Sequence, residues 1–308
     1  MLSRIAESLF WIGRYAERAE ATARLLQVHM RLLVEDPYVT EADSCRNVLS
    51  LMGIDGVEEP TGDDLLQILG YDEKQPSSIV SCWRAARSNA RRAREVIPAE
   101  LWECINTTWH QLPSGRFRPG RHDHFFTWAR ERSALFAGIA RGTMVRDDGW
   151  QYLVLGRSLE QADMSSRLVA SAALSSGPTP WPAVLRGCGA HDAFLRTYRG
   201  FHADREAAEF LILDRRFPRS IMHGLDVALG SLGVLSPNGT EGHPATSALY
   251  ELGKLRARLE YTPMTEQLDH LSEQMSEVQA ACDAVTQIIS STFFAVKAPT
   301  SWAEGATL

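Results

Sequence analysis

Cysteine is scarce in this chain of 308 residues: Cys45, Cys82, Cys104, Cys188 and Cys282 are scattered, odd in number and free of any C-x-x-C pair. That spacing argues against a disulfide framework or a zinc site and marks the five as small core hydrophobes. No apolar run approaches the length needed to span a bilayer. The opening Met1-Leu2-Ser3-Arg4-Ile5-Ala6-Glu7 sets charges where a signal peptide needs an apolar stretch, so a soluble, cytoplasmic protein is expected. Alternating β-branched runs bounded by turn residues are missing, which excludes a sheet-based fold. There is no Gly-rich phosphate loop, G-x-S-x-G elbow or H-E-x-x-H pair, and hence no familiar catalytic machine. A net charge of −6 gives no global attraction to nucleic acid, although local basic surfaces can exist.

What the chain does have is helical periodicity. Apolar residues recur at i, i+3, i+4 and i+7 in segments rich in Ala, Leu, Glu and Arg, and 44% apolar content is enough for one large core or two modest ones. The pattern predicts an all-α protein with helices over about 2–34, 43–53, 63–69, 77–96, 98–110, 122–141, 147–175, 181–187, 190–214, 219–235, 246–261 and 264–296. Breakers separate them at Asp55-Gly56, Pro60-Thr61-Gly62, Leu112-Pro113-Ser114-Gly115, Gly177-Pro178-Thr179-Pro180 and Pro237-Asn238-Gly239.

One short pattern occurs twice. Gly13-Arg14-x-x-Glu17-x-Ala19-Glu20-x-Thr22-x-Arg24-Leu25 returns 143 positions later as Gly156-Arg157-x-x-Glu160-x-Ala162-Asp163-x-Ser165-x-Arg167-Leu168. Val48-Leu49-x-x-x-Gly53 similarly matches Val184-Leu185-x-x-x-Gly189, Pro76-x-Ser78-Ile79 matches Pro218-x-Ser220-Ile221, and Leu101-Trp102-Glu103 matches Leu249-Tyr250-Glu251. These matches predict a helical bundle of two homologous halves related by pseudo-two-fold symmetry, about 1–141 and 142–297, fused through one core, with 298–308 a flexible tail. Two copies are too few for an open solenoid.

On a helical wheel, Arg4, Glu7, Trp11, Tyr15, Arg18, Thr22 and His29 share one arc, read as the solvent side of the first helix. Glu17, Glu20 and Arg24 fall opposite, among Leu9, Gly13 and Ala16, and point inward. Buried carboxylates need partners. The spacing offers Arg14 to Glu17, Glu20 to Arg24, Arg157 to Glu160 and Asp163 to Arg167. Gly13 and Gly156 each cost about 1 kcal/mol of helix propensity relative to Ala, which implies a close approach of another helix or of a ligand.

Three readings follow. The two motif helices zip together through carboxylate and guanidinium pairs, or they line a polar cleft for a charged ligand such as an amino acid, a peptide terminus or a phosphate. The third reading is metal. Four interleaved arginines would repel a cation, and the Glu-x-x-His spacing of di-iron bundles is missing, so no metal ligands are assigned and no cofactor is expected. Mg²⁺ or a nucleotide enters only if a ligand site exists.

Elsewhere, Arg84, Arg87, Arg91 and Arg94 form a stripe beside the apolar face of the helix that starts near Ser78. It reads as a solvated face, or as a surface for phosphates or an acidic partner. Aromatics are not interleaved with it in sequence, so nucleic-acid binding is not expected. Ser220 reads as an N-cap, and the helix start beside Arg219 could receive an anion; the counterpart Pro76-Ser77-Ser78 lacks the arginine. His122-x-His124, after the basic loop Arg116–Arg121, diverges on a helix and is a poor metal pair.

Met1-Leu2-Ser3-Arg4-x-Ala6-Glu7-Ser8-x-x-Trp11-x-Gly13-Arg14-Tyr15-x-Glu17-Arg18-Ala19-Glu20 resembles the bacterial alpha-E domain family. Ala85-Ala86-Arg87-x-Asn89-Ala90-Arg91, Gly142-Thr143-Met144, the Gly156 motif and Phe210-Leu211-x-Leu213-Asp214-x-x-Phe217-Pro218-x-Ser220 extend the resemblance nearly end to end. It implies one all-helical alpha-E domain over 1–297. It also implies a setting, because such proteins are commonly encoded beside or fused to circularly permuted ATP-grasp proteins and transglutaminase-like peptidases. On that basis the expected role is a helical accessory or substrate-binding protein, with a peptide or amino-acid ligand, for a separate ATP-grasp-type ligase. Two alternatives stand beside it. One is an enzyme using Glu17, Glu20, Glu160 and Asp163 as acid/base groups or Mg²⁺ ligands, with Arg14, Arg24, Arg157, Arg167, Arg219 and Ser220 holding the ligand. The other is a purely structural interaction module.

Overall fold

A computed structural model describes residues 1–35, 40–112, 122–174, 181–198, 204–236 and 244–294. The breakers at Pro113-Ser114-Gly115, Gly177–Pro180 and Pro237-Asn238-Gly239, the basic loop Arg116–Arg121 and the tail 298–308 lie outside them. The described residues form helices and connecting turns, without strands. In chain order they are α1 (Ser3–Glu35), α2 (Glu41–Leu51), α3 (Gly62–Leu66), α4 (Ile79–Arg92), α5 (Ala99–Gln111), α6 (His122–Thr143) and α7 (Asp148–Leu174). There follow α8 (Trp181–Gly187), α9 (His191–Thr197), α10 (Asp204–Leu213), α11 (Ile221–Leu235), α12 (Pro244–Tyr261), α13 (Met264–Asp269) and α14 (Leu271–Ile289). Wider π-type turns extend α3 over Gln67–Tyr71 and α14 over Ser290–Phe294.

Local chemistry accounts for many of the boundaries. Thr61 and Asp64 form a reciprocal capping box at α3. Ser220 accepts from the His223 N–H and caps as expected, and Ser78 does the same for the Ser81 N–H. Each also donates to a carbonyl six residues back, Asp72 and Asp214 respectively. Gly53 and Gly189 end α2 and α8 at φ +71° and +64°, where a side chain would be strained.

Three expected helices come out differently. The segment 190–214 divides into α9 and α10, since the α9 backbone turns extended at Tyr198. The segment 264–296 breaks at His270 (φ −123°, ψ 35°) into α13 and α14. The helix from 77 ends at Arg92, because Ala93 leaves helical geometry ahead of Pro98. Helix α5 buries Leu101, Cys104, Ile105 and Thr108, and α12 buries Ala248, Leu252, Leu255 and Leu259.

The longest helices, α1 and α7, pack on each other at the centre. Around α1 stand α4 and α6, bridged by α5; around α7 stand α11 and α14, bridged by α12. The short helices cross over, with α8 on α1 and α2 on α7. α1 is thereby enclosed on nearly every side. Thr22 and His29, expected on a solvent arc, are buried, with Thr22 donating to the Ser77 carbonyl beneath α4. The five cysteines are free and buried in the core, as their scatter implied.

Gly13 and Gly156 are the contact point. A Cβ on Gly13 would overlap the Leu153 carbonyl oxygen and stand 2.9 Å from the Arg157 nitrogen; one on Gly156 would overlap the Phe10 carbonyl oxygen. The obstacles are backbone, which cannot yield as a side chain can. Gly13→Ala and Gly156→Ala are therefore expected to lose stability by about 3 kcal/mol each in urea unfolding, although alanine is the better helix former. Wild-type midpoints in both variants would refute the close contact.

Candidate functional site

The charged residues of the repeated motif meet directly beside the glycine contact. Arg14 and Glu160 pair between α1 and α7 (Nε to Oε2, 2.6 Å), and Arg157 pairs with Glu17 in the reverse sense (2.9 Å). The expected pairs within each helix, Arg14 with Glu17 and Arg157 with Glu160, are replaced by these crossed ones. With the backbones in contact, the opposite helix offers a partner without bending the side chain along its own helix. The two i,i+4 pairs are present as expected, Arg24 to Glu20 at 2.9 Å and Arg167 to Asp163 at 3.2 Å.

Each glutamate takes a second guanidinium. Arg18, assigned by the wheel to the outer arc, grips both oxygens of Glu160 at 2.5 and 2.9 Å. Arg219, just ahead of α11, gives Nη1 to Glu17 at 2.8 Å and Nη2 to Glu20 at 2.5 Å. The supply is not symmetric, since the repeated sequence patterns align Arg18 with Gln161 and Arg219 with Ser77. Gln161 instead donates to the Pro218 carbonyl. Outer ends are also fastened: Arg14 donates to Thr286 of α14, Arg167 to the Leu51 carbonyl at the end of α2, and Arg24 lies against Gly189 after α8.

Glu17, Glu20, Glu160, Asp163 and Arg14 are all buried, Glu160 completely. Burial alone would raise the Glu160 pKa, but the Arg18 and Arg14 guanidiniums outweigh it and hold the group at about 2. Glu17 is lowered likewise, burial being outweighed by Arg219 and Arg157. Such carboxylates are weak proton acceptors near neutral pH. Asp163 differs: burial raises its pKa despite Arg167, with Glu160 adding to the rise, and its Oδ1 is buried without a hydrogen-bond partner among the described residues. The Ser220 hydroxyl is taken up by its cap and by Asp214, and the Arg219 guanidinium by Glu17 and Glu20.

Among the described residues no group of three or more His, Cys, Asp or Glu is arranged to hold a metal. His124 is exposed and the His122 ring lies beside Phe126. A second buried arrangement escaped the sequence reading: His29 has Ser44 Oγ 3.4 Å from Nδ1 and Cys45 Sγ 3.6 Å from Nε2. Burial lowers the His29 pKa to about 4 against a weaker opposing pull from Glu41, and raises the Cys45 thiol to about 11, so the pair is a neutral packing contact. On the α4 stripe, α5 supplies the aromatics that the local sequence lacks: Trp109 lies under Arg87 and Trp102 under Arg94, at 5.8 and 5.5 Å.

The class so defined is an all-helical bundle centred on a buried ion-pair cluster at a glycine-mediated helix contact. Residues 1–294 match the Alpha-E family, described as a predicted alpha-helical domain with a conserved ER motif, and the chain belongs to that family. Of its two Glu-Arg dipeptides, Glu17-Arg18 and Glu131-Arg132, the first has both members in the cluster. An uncharacterized protein of Mycobacterium bovis and two of Mycobacterium tuberculosis strains are each 23% identical over 333 residues, covering 95% of this chain. The chain spans only 37% of the length of these relatives. No solved structure matches. No described helix is long and apolar enough to cross a membrane.

Glu160→Gln strands the buried Arg14 and the half-buried Arg18 and is expected to cost about 3–5 kcal/mol in urea unfolding. Asp163→Asn should melt at or above wild type, because burial penalises that charge more than Arg167 returns; a loss as large as that of Glu160→Gln would refute the distinction. His29 binds its proton more weakly folded than unfolded. Its contribution is complete above its ordinary value of 6.5 and is lost as pH falls from there toward about 4. The urea midpoint should drop through that window, and His29→Gln should flatten the slope.

Proposed function

We propose that this protein is a helical accessory module that works beside an ATP-grasp-type ligase in peptide synthesis, tagging or modification, by presenting a peptide or amino-acid substrate or by scaffolding the complex. The observation that carries the non-catalytic part of this reading is the saturation of the motif carboxylates. Glu17 and Glu160 each bind two guanidiniums while buried, a state suited to joining helices and unsuited to proton transfer. The cluster then acts as a lock between two halves that arose by internal duplication, 1–141 and 142–297 of one domain. Reciprocal Arg14–Glu160 and Arg157–Glu17 pairs, the twin serine caps and the matched positive-φ glycines support that origin.

The partner is drawn from the family resemblance, with a transglutaminase-like protein as a second candidate. Most of each mycobacterial relative lies outside the matching region, which fits a module that operates next to other protein segments. Five free, buried cysteines fit a cytoplasmic setting. The competing enzyme reading draws on Asp163, whose partnerless oxygen and raised pKa are properties of a working acid.

Co-expression with the ATP-grasp protein of the same organism is expected to give one complex on affinity purification and gel filtration. Asp163→Asn should leave ligase turnover in that complex intact. Separate elution of the two proteins at low salt would defeat the partnership, and a folded but inactive Asp163→Asn complex would shift the assignment to the enzyme reading.

A further inference from the structure

Glu20, Arg24, Gln27 and Arg31 follow one another at i, i+4, i+7 and i+11, along one side of α1. Two arginines from other elements are drawn to that line. Arg219 reaches Glu20, and Arg130 of α6 donates from Nη1 to Gln27 Oε1 at 2.7 Å. Arg24, Arg31, Arg130 and Arg219 are thus gathered along little more than three helical turns where Glu20 is the carboxylate at hand, and Arg219 shares its charge with Glu17. The Arg130 Nε is buried and has no hydrogen-bond partner among the described residues. Burial and then the Arg24 guanidinium lower the Arg130 pKa, with Arg219 and Arg31 adding to this and Glu20 opposing it. Like charges collected in a chain of net charge −6 are not a solvated surface averaging itself out; folding has assembled a local positive excess.

Arg24, Gln27, Arg130 and Arg219 are half-buried and Arg31 is exposed, so the arc has a mouth toward solvent. The corresponding α7 positions explain why this is more than helix glue. Asp163 and Arg167 repeat Glu20 and Arg24, but Ala170 and Leu174 stand where Gln27 and Arg31 do, and Ser77 where Arg219 does. The ion pair with Arg24 is shared by both halves, whereas the additional cations belong to one. Guanidiniums from α1 and α6, beside Arg219 in the turn ahead of α11, suit an anion with several oxygens able to accept two-pronged bonds.

We propose that Arg31 and Arg130 hold a phosphate group, entered from the Arg31 end, in the positive field of Arg24 and Arg219, whose guanidiniums already grip Glu17 and Glu20. The phosphate would complete the donors of Arg130 and neutralise the excess charge. This site does not depend on the accessory role proposed above and can fail or stand separately from it.

The test uses inorganic phosphate with the whole chain, read by thermal melting and isothermal titration calorimetry, against chloride and acetate at matched ionic strength. Phosphate is expected to bind saturably and to raise the melting temperature by several degrees. Arg130→Gln and Arg31→Gln should weaken binding about tenfold or more, the size of one charge-assisted hydrogen bond. In phosphate-free chloride buffer, Arg130→Gln should melt no lower than wild type, because it removes a repelled cation; a purely structural Arg130 would make it melt lower. Absence of saturable binding, an equal response to acetate, or unchanged affinity in both folded variants would overturn the site. If Arg130→Gln does not fold, the proposal is overturned as well, since the residue would then be structural.

Discussion

Two glycines let the backbones of α1 and α7 touch, and the carboxylates beside that contact are buried as a result. A buried carboxylate must be met by a donor, so the surrounding structure is constrained to deliver guanidiniums: from the opposite central helix, from the start of α11, and from Arg18 one residue beyond Glu17. Thr286 of α14 and the Leu51 carbonyl of α2 then hold the outer ends of those arginines. Much of the bundle's arrangement around α1 and α7 follows from satisfying this one contact.

Ion pairs of this kind need not make a protein more stable than a well-packed apolar core would. Their stronger effect here is on register. Sliding α1 against α7 by one turn would carry Glu17 and Glu160 away from Arg157, Arg14 and Arg18, while each glycine would meet a side chain in place of a backbone gap. Apolar contacts tolerate such a shift far better than charged ones, so the crossed pairs select one packing among several that hydrophobicity would accept.

The pairing is symmetric at its centre and unequal at its edges. Arg14–Glu160 and Arg157–Glu17 are reciprocal, but the second guanidinium comes from α1 on one side and from α11 on the other. One consequence is Asp163, short of a partner; another is the line of arginines around Gln27, with more positive charge than the lock requires. A structure serving only to join two helices would have little reason to distribute its charges so unevenly.

By itself the sequence determined the helical class, most helix positions, the Ser220 cap, a close approach at Gly13 and Gly156 and the inward turn of Glu17 and Glu20, since all of these depend on spacing within one helix or on single-residue conformational preferences. It also identified the family, through motifs that run nearly the length of the chain. Only the tertiary structure decided the partners. A wheel describes one isolated helix, so it placed Thr22 and His29 in solvent and Arg18 outside the cluster, whereas enclosure of α1 by α4, α6, α7 and α8 buries two of them and turns the third onto Glu160. The same limit hid Arg130, more than 100 positions from Gln27, and the tryptophans that α5 lays under the α4 arginines. Charge pairing is settled by distance in space, and between remote segments that distance is set by packing.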